Sequence, residues 1–372
     1  MSKGTIIYYG GFTLPDKSAA ANRVVSNGKI FSSLGYRTVF IGVSEEKFEG
    51  MRPLSGCEDM FEIAHPDSTS QWIKHMFSVE HILSLADKYG DVRKVILYNV
   101  PMFTLLKAKK VFAKKNIEVC YDCTEWTKDT DGSLPKRIFK VFDEFLISNF
   151  AHKVADGMIV ISSVMKKKYK ACRNLLVLPP LIDINDEIWH QQPANHEDVF
   201  EFCFAGIPDG KKESLDKAVE AFCSIDRNDI RLRIIGITED DFNSIYPECK
   251  IPKNARDRII FMGRLSRRET VKYILGCNCY IFIRRSDKRN NAGFPTKFAE
   301  SYTCGVPIIT TDVSDVGEYI KKSGKGSLLS DMTKENISEA MLCQIKNKNQ
   351  SKGLDKTFHY ESFGQPTENW LQ

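Results

Sequence analysis

The chain has 372 residues, 42% hydrophobic and 27% charged, a length beyond one comfortable core and suited to two domains. No run approaches the roughly 20 apolar residues that cross a bilayer. The opening Met1-Ser2-Lys3-Gly4 enters a strand-like segment with no signal-peptide core, so a cytoplasmic protein is expected. The net charge of +5 is mild and comes with no recognition motif, which argues against a nucleic-acid partner. Eleven cysteines form no regular framework, and Cys57, Cys120, Cys203, Cys223, Cys279 and Cys304 sit in or beside predicted core elements, as reduced buried thiols do. Cys120 and Cys123 have C-x-x-C spacing but lack the second pair or histidines of a zinc site, so no metal is expected there.

In chain order, an apolar run at 6–9 meets Gly10-Gly11, and a helical pattern follows over 18–34 until Gly35 stops it. Further strands are predicted at 38–43, 95–100, 118–121, 158–162 and 175–178, with amphipathic helices at 71–89 and 136–154. This alternation predicts a parallel sheet with helices on both faces. Lysines concentrate at Lys107, Lys109, Lys110, Lys114 and Lys115, and again at Lys166, Lys167, Lys168 and Lys170. They are either solvated helix faces or a peripheral contact with an anionic membrane, which would suit a lipid-linked acceptor. Asp129-Thr130-Asp131 has the D-x-D form of a metal site, yet it falls in a loop before a helix instead of ending a strand, where loop carboxylates or a helix cap are the ordinary reading.

Prolines, Asn185, Gln191, Gln192 and Asn195 mark 179–198 as a connection, and the rhythm restarts with strands at 201–205, 231–235, 258–262, 280–283 and 306–311 and a last helix at 334–346. The expected organisation is a first domain over 1–183, a second over 184–349, and a tail over 350–372 whose Phe358, Tyr360, Phe363 and Trp370 dock back onto the first. Two doubly wound α/β domains of this kind turn the carboxyl ends of their sheets toward a shared central cleft, where ligands bind.

The most informative stretch runs from Asn291 to Thr310. Gly293-Phe294-Pro295-Thr296-Lys297 opens a short helix and Gly305 suits the position just past its end. The free N–H groups of the first turn, with Thr296 and Lys297, make a diphosphate site, and Glu300, one turn on, could reach two vicinal ribose hydroxyls. Arg284, Arg285, Lys288 and Arg289 precede this loop as anion contacts or as a solvated basic loop.

This run resembles the signature of the retaining glycosyltransferases of family 4, with the GT-B fold of two Rossmann-like domains. The glycine loop corresponds to Gly293-Phe294-Pro295, the helix glutamate to Glu300, the turn and strand to Thr303-Cys304-Gly305-Val306-Pro307-Ile308-Ile309, and the later acid to Glu318. Phe204-Ala205-Gly206 with Lys211-Lys212 is similar to the family's first donor-domain strand and basic loop, Gly263-Arg264 to its base-binding turn, and Gly10-Gly11 to its N-terminal glycine loop. The chain departs from the pattern at Ala292, where the family carries a first glutamate, and at Ile207, where it carries a basic residue. Sugar contact then passes to the backbone of Gly293 and Phe294 or to Asp287, and phosphate neutralisation to Lys297 with Lys211 or Lys212.

The resemblance implies a hexosyltransferase, part of bacterial surface polysaccharide synthesis, that takes a sugar from a nucleotide diphosphate donor to a glycan or lipid-linked acceptor. It would need no cofactor or metal, because lysines and a helix N-terminus can stabilise the leaving phosphate, and it would work in the cytoplasm or peripherally at the inner face of the membrane. Asp122 and Glu125, just after a predicted strand, are candidates for acceptor activation, or else one caps a turn and the other is solvated. No histidine has an identifiable partner as a base. A nicotinamide oxidoreductase is disfavoured because Gly10-Gly11 lacks the G-x-G-x-x-G spacing. A nucleotide-sugar epimerase of the same fold, or an inactive nucleotide-binding subunit, remains the alternative.

Overall fold

Short β-branched and aromatic runs alternating with amphipathic ones build two parallel sheets in the computed structural model, which describes residues 2–126, 134–194, 199–347 and 353–372. Asp129-Thr130-Asp131 lies outside the described residues. The chain divides into a first unit, Met1–Leu181 with Tyr360–Gln372, and a second, Ile182–His359. The boundary thus comes just before the position read from the sequence, and only the last part of the aromatic tail belongs to the first unit.

The first unit runs β1 (Thr5–Gly10), α1 (Ala19–Ser33), β2 (Arg37–Ser44), β3 (Met51–Pro53), β4 (Met60–Ala64), α2 (Thr69–Phe77) and α3 (Glu80–Tyr89). It continues with β5 (Val92–Tyr98), α4 (Met102–Phe112), β6 (Glu118–Cys123), α5 (Leu134–Val154), β7 (Gly157–Val160), α6 (Ser163–Lys168) and β8 (Leu175–Val177). Its strands order as β3-β4-β2-β1-β5-β6-β7-β8, with β3 antiparallel to β4 and the other pairings parallel. β1 is buried along its whole length, as a strand covered on both faces must be. The helix expected over 71–89 is two helices. Ser78 takes the Glu80 N–H on its hydroxyl and starts α3 afresh, a local bond that competes with helix continuation.

The second unit runs β9 (Phe200–Ala205), α7 (Leu215–Cys223), β10 (Ile230–Ile235), α8 (Glu239–Ile245), α9 (Lys253–Arg256), β11 (Ile259–Phe261) and α10 (Arg267–Gly276). Then come β12 (Cys279–Phe282), α11 (Lys288–Ala292), α12 (Thr296–Thr303), β13 (Ile308–Thr311), α13 (Val316–Ser323), β14 (Gly326–Leu329) and α14 (Lys334–Lys346). Its sheet is parallel, in the order β11-β10-β9-β12-β13-β14. β14 escapes a periodicity search because it begins on Gly326, where a Cβ would lie 2.1 Å from the Ile308 carbonyl oxygen.

Phe358 closes the second unit by inserting among Phe294, Phe298, Tyr302 and Tyr319, with ring centroids 4.8 to 6.2 Å away. The last helix, α15 (Gly364–Leu371), packs on the first unit, where Trp370 stacks on Phe31 at 6.5 Å and exchanges hydrogen bonds with Asn174.

Candidate active site

In the second sheet the winding reverses between β9 and β12: β10 and β11 build outward on one side, β13 and β14 on the other. Loops leaving the carboxyl ends of two such strands diverge and open a crevice. Gly206 ends β9 at φ +148, and a Cβ there would stand 2.0 Å from Lys297 Nζ, so glycine is what lets the Lys297 side chain lie across the strand end. A second close approach supports the first: a Cβ on Gly236, after β10, would fall 2.3 Å from the Gly206 carbonyl oxygen. Gly236 N–H in turn donates to the carbonyl of Gly263, which holds φ +63 in the turn after β11. Three glycine loops therefore touch backbone to backbone along the carboxyl edge.

Lys297 reaches this edge from the first turn of α12. Its amine is 3.4 Å from Glu213 Oε1, which also accepts from Arg284 Nη2 at 2.8 Å. Burial pushes the Lys297 amine below its ordinary pKa, with the Arg284 charge adding to the effect and Glu213 opposing it. Burial pulls the Glu213 carboxyl up, but Lys297 and Arg284 outweigh that and hold it below the ordinary value. Two cations thus share one carboxylate. The helix behind them is open at its start: α8 and α10 close theirs with capping boxes and α11 with Asp287, whereas Pro295 at the head of α12 has no side chain to cap it. Pro295 is itself the cap residue and Thr296 the first helical one. Gly305, at φ +68, occupies the left-handed position just past the C-cap.

The remaining sequence candidates fall into two sets. Lys211 and Lys212 lie in the same loop as Gly206 and Glu213, where their N–H groups bond Asp209 and their side chains are exposed or half-buried. Glu300 accepts from Arg267 at 3.1 and 3.2 Å, and that guanidinium also lies over the Trp189 ring. Arg264 is exposed beside Gly263. Phe294 is buried in the aromatic cluster, so only its backbone and that of Gly293 face the helix entrance. Asp287 is occupied as the α11 cap, accepting from Asn290 at 2.8 and 2.9 Å.

In the first unit, Gly10 and Gly11 end β1; a Cβ on Gly10 would strike the Tyr98 carbonyl oxygen at 2.6 Å, whereas Gly11 borders open space. Glu125 is exposed. Asp122, expected to activate an acceptor, is corrected by the structure: it is fully buried, paired to Arg23 through Nη2 at 2.9 Å and Nε at 3.3 Å, and hydrogen-bonded by the Tyr8 hydroxyl. Arg23 and Tyr8 cover it completely, leaving it no route to an acceptor proton. Glu213 and Gly236 were not read from the sequence. Gly236 could have been, as a glycine directly after a strand, but nothing local marks Glu213.

Residues 185–357, nearly the whole second unit, match the family model described as glycosyl transferases group 1. The second unit is thus the part of the chain that is similar to group 1 glycosyltransferases. An uncharacterized glycosyltransferase of Methanocaldococcus jannaschii is 20% identical over 314 residues, covering 76% of this chain and 84% of that protein. Among solved structures, sucrose-phosphate synthase from Thermosynechococcus elongatus superposes with a TM-score of 0.71 at 12% identity, over 99% of this chain and 98% of the other. HepE of Anabaena in complex with UDP superposes with a TM-score of 0.66 at 10% identity, over 99% of each chain. The chain is thus a glycosyltransferase with two Rossmann-like domains of the GT-B fold.

Proposed function

We propose that this glycosyltransferase transfers a hexosyl unit from a nucleotide diphosphate sugar to a glycan or lipid-linked acceptor, with retention of configuration and without a metal. The finer points, including a role in bacterial surface polysaccharide synthesis at the cytoplasmic face of the membrane, are supported by the family resemblance. The observation that carries the donor assignment is the Lys297 amine, held over Gly206 by a helix whose N-terminus is uncapped. A diphosphate placed there receives the amine, the open N–H groups of α12 and the Arg284 field together. In transfer, the bond from the anomeric carbon to the phosphate oxygen breaks with its electron pair passing to the diphosphate, and the acceptor oxygen bonds the same carbon. The acceptor proton leaves for the departing diphosphate or solvent. Glu300 would exchange Arg267 for the ribose hydroxyls. Calorimetry with UDP, GDP and ADP, without metal, tests the reading. One of them should bind, and Lys297→Ala should weaken it at least about tenfold, the scale of a lost charge-assisted contact; no binding at all would sink it.

Ala292 favours a second reading, a subunit that binds nucleotide without turnover. It is buried at the end of α11 where the family carries a carboxylate, and Asp287 is committed as a cap. Release of free nucleotide from the bound sugar nucleotide, with or without acceptor, would exclude that reading.

A further inference from the structure

A helix in a folded domain turns its apolar stripe inward, so a second apolar stripe on its outer side calls for a cover of its own. α5 turns Asp143 and Ala151 into the first unit, with Phe139 half-buried between Trp72 and Phe103. Its opposite side carries Ile138, Val141, Phe142 and Phe145, a stripe spaced by threes and fours and exposed throughout, Ile138 to 63%. The stripe continues over the neighbouring helices through exposed Ile73 and Phe77 of α2 and Leu106 of α4. Ring contacts knit the three helices into one surface: Phe77 on Phe103 at 5.2 Å, Phe103 on Phe139 at 6.2 Å, and Trp72 on Phe139 at 5.0 Å. Among the described residues, only Phe150, Ile207 and Leu342 are exposed large hydrophobics besides these, and Phe150 is also on α5. That concentration goes beyond the scattered apolar residues of an ordinary surface.

The rim of this face is cationic. Lys107, Lys110 and Lys114 are exposed beside Leu106 without a carboxylate partner among the described residues, whereas Lys109 and Lys115 are tied to Asp156 and Asp87. At the far end of α5, Lys153 lies over the Phe150 ring at 5.5 Å and the exposed Lys166, Lys167 and Lys168 of α6 follow. Protein interfaces are depleted in lysine, and a two-fold contact between copies would set two such rims against each other. A bilayer of anionic lipids matches both features, since the apolar stripe can enter the acyl boundary while the ammonium groups meet headgroup phosphates.

We propose that the outer face of α2, α4 and α5 docks this glycosyltransferase on an anionic lipid bilayer. The inference deepens the proposed function, because a lipid-linked acceptor resides at such a surface, yet its test needs neither donor nor acceptor. The full chain is floated with vesicles of phosphatidylcholine alone and of phosphatidylcholine with phosphatidylglycerol. Binding is expected to the mixed vesicles and to weaken with salt; Phe142→Glu with Phe145→Glu should lower it about tenfold or more. Lys107→Gln and Lys110→Gln should each lower it roughly fivefold, with nucleotide affinity intact in every variant.

Absence of binding, or equal binding to both vesicle types without a salt effect, overturns the proposal. So does a dimer in sedimentation that the phenylalanine substitutions dissociate, since a second copy would then cover the face. Hydrogen exchange on the wild type serves if those variants fail to fold: the amides of α5 should slow on mixed vesicles, and unchanged exchange rejects the docking face.

Discussion

Each sheet carries a charged cluster near the carboxyl ends of its strands, and the two clusters are built to opposite purposes. In the first unit Asp122, Arg23, Tyr8 and Asn27 form a sealed set: one carboxylate, one guanidinium, both buried, the remaining acceptor positions filled by a hydroxyl and an amide. Arg23 also donates to the carbonyl of Leu178, just before the chain leaves the unit. In the second unit Glu213 faces two cations, and the Lys297 side chain stays 27% exposed. A balanced, closed pair holds a fold together, while an excess cation beside an open helix end is available to an anion. Charge balance and cover, more than position along the strand, separate a closed structural cluster from one that is open to an anion.

The comparison breaks most visibly if the sealed pair proves dispensable. Asp122→Ala leaves Arg23 buried without its counter-ion and should cost about 3 to 5 kcal/mol of unfolding free energy, read by urea denaturation, with nucleotide affinity of the folded fraction unchanged. An Asp122→Asn protein of full stability but no turnover would return Asp122 to the catalytic machinery. Lys297→Ala should do the converse, lowering turnover by about 2 to 4 kcal/mol of transition-state stabilisation while the unfolding midpoint barely moves. Glu213→Gln lies between them. It should destabilise by about 2 kcal/mol, since Lys297 and Arg284 lose their shared partner, and tighten nucleotide diphosphate binding by about threefold as a competing anion disappears. Weaker binding would mean that Glu213 mainly positions Lys297.

The short helix that carries Lys297 was legible because its elements are contiguous: glycine, proline, lysine, glutamate and terminal glycine within 293–305 are read along one segment. Gly206 was legible as a glycine ending an apolar strand. Asp122 was misread for the same reason that made Gly206 easy, because a polar residue at a strand end reads as exposed, and the Arg23 that covers it is 99 positions away in the chain. Glu213 was missed because its meaning lies in Arg284 and Lys297, brought to it by β12 and α12. The apolar outer face of α5 was not legible because an amphipathic period over 136–154 assigns its apolar residues to the core, and only the placed neighbours show that Ile138, Val141, Phe142 and Phe145 stay uncovered.

A third buried carboxylate sharpens the contrast because, among the described residues, its only hydrogen-bond partner is a neutral backbone group. Asp143 of α5 accepts the Met102 N–H at 2.8 Å, closing the start of α4, where Pro101 has no side chain to offer. Burial pushes its carboxyl up from 3.8 to about 6, with the Met102 bond opposing that shift. A folded-state pKa above the unfolded one means that the fold favours the neutral acid. Its stabilisation is therefore complete below the unfolded value and is lost as pH rises through about 6. Asp143→Asn keeps an acceptor for Met102 and removes the ionisation, so the variant should match the wild type in acid and exceed it by about 3 kcal/mol above neutrality. Urea denaturation across that pH range measures the gap; a gap that stays flat with pH would show that an unrecognised cation compensates Asp143, and that it belongs with the sealed pair of Asp122 and Arg23.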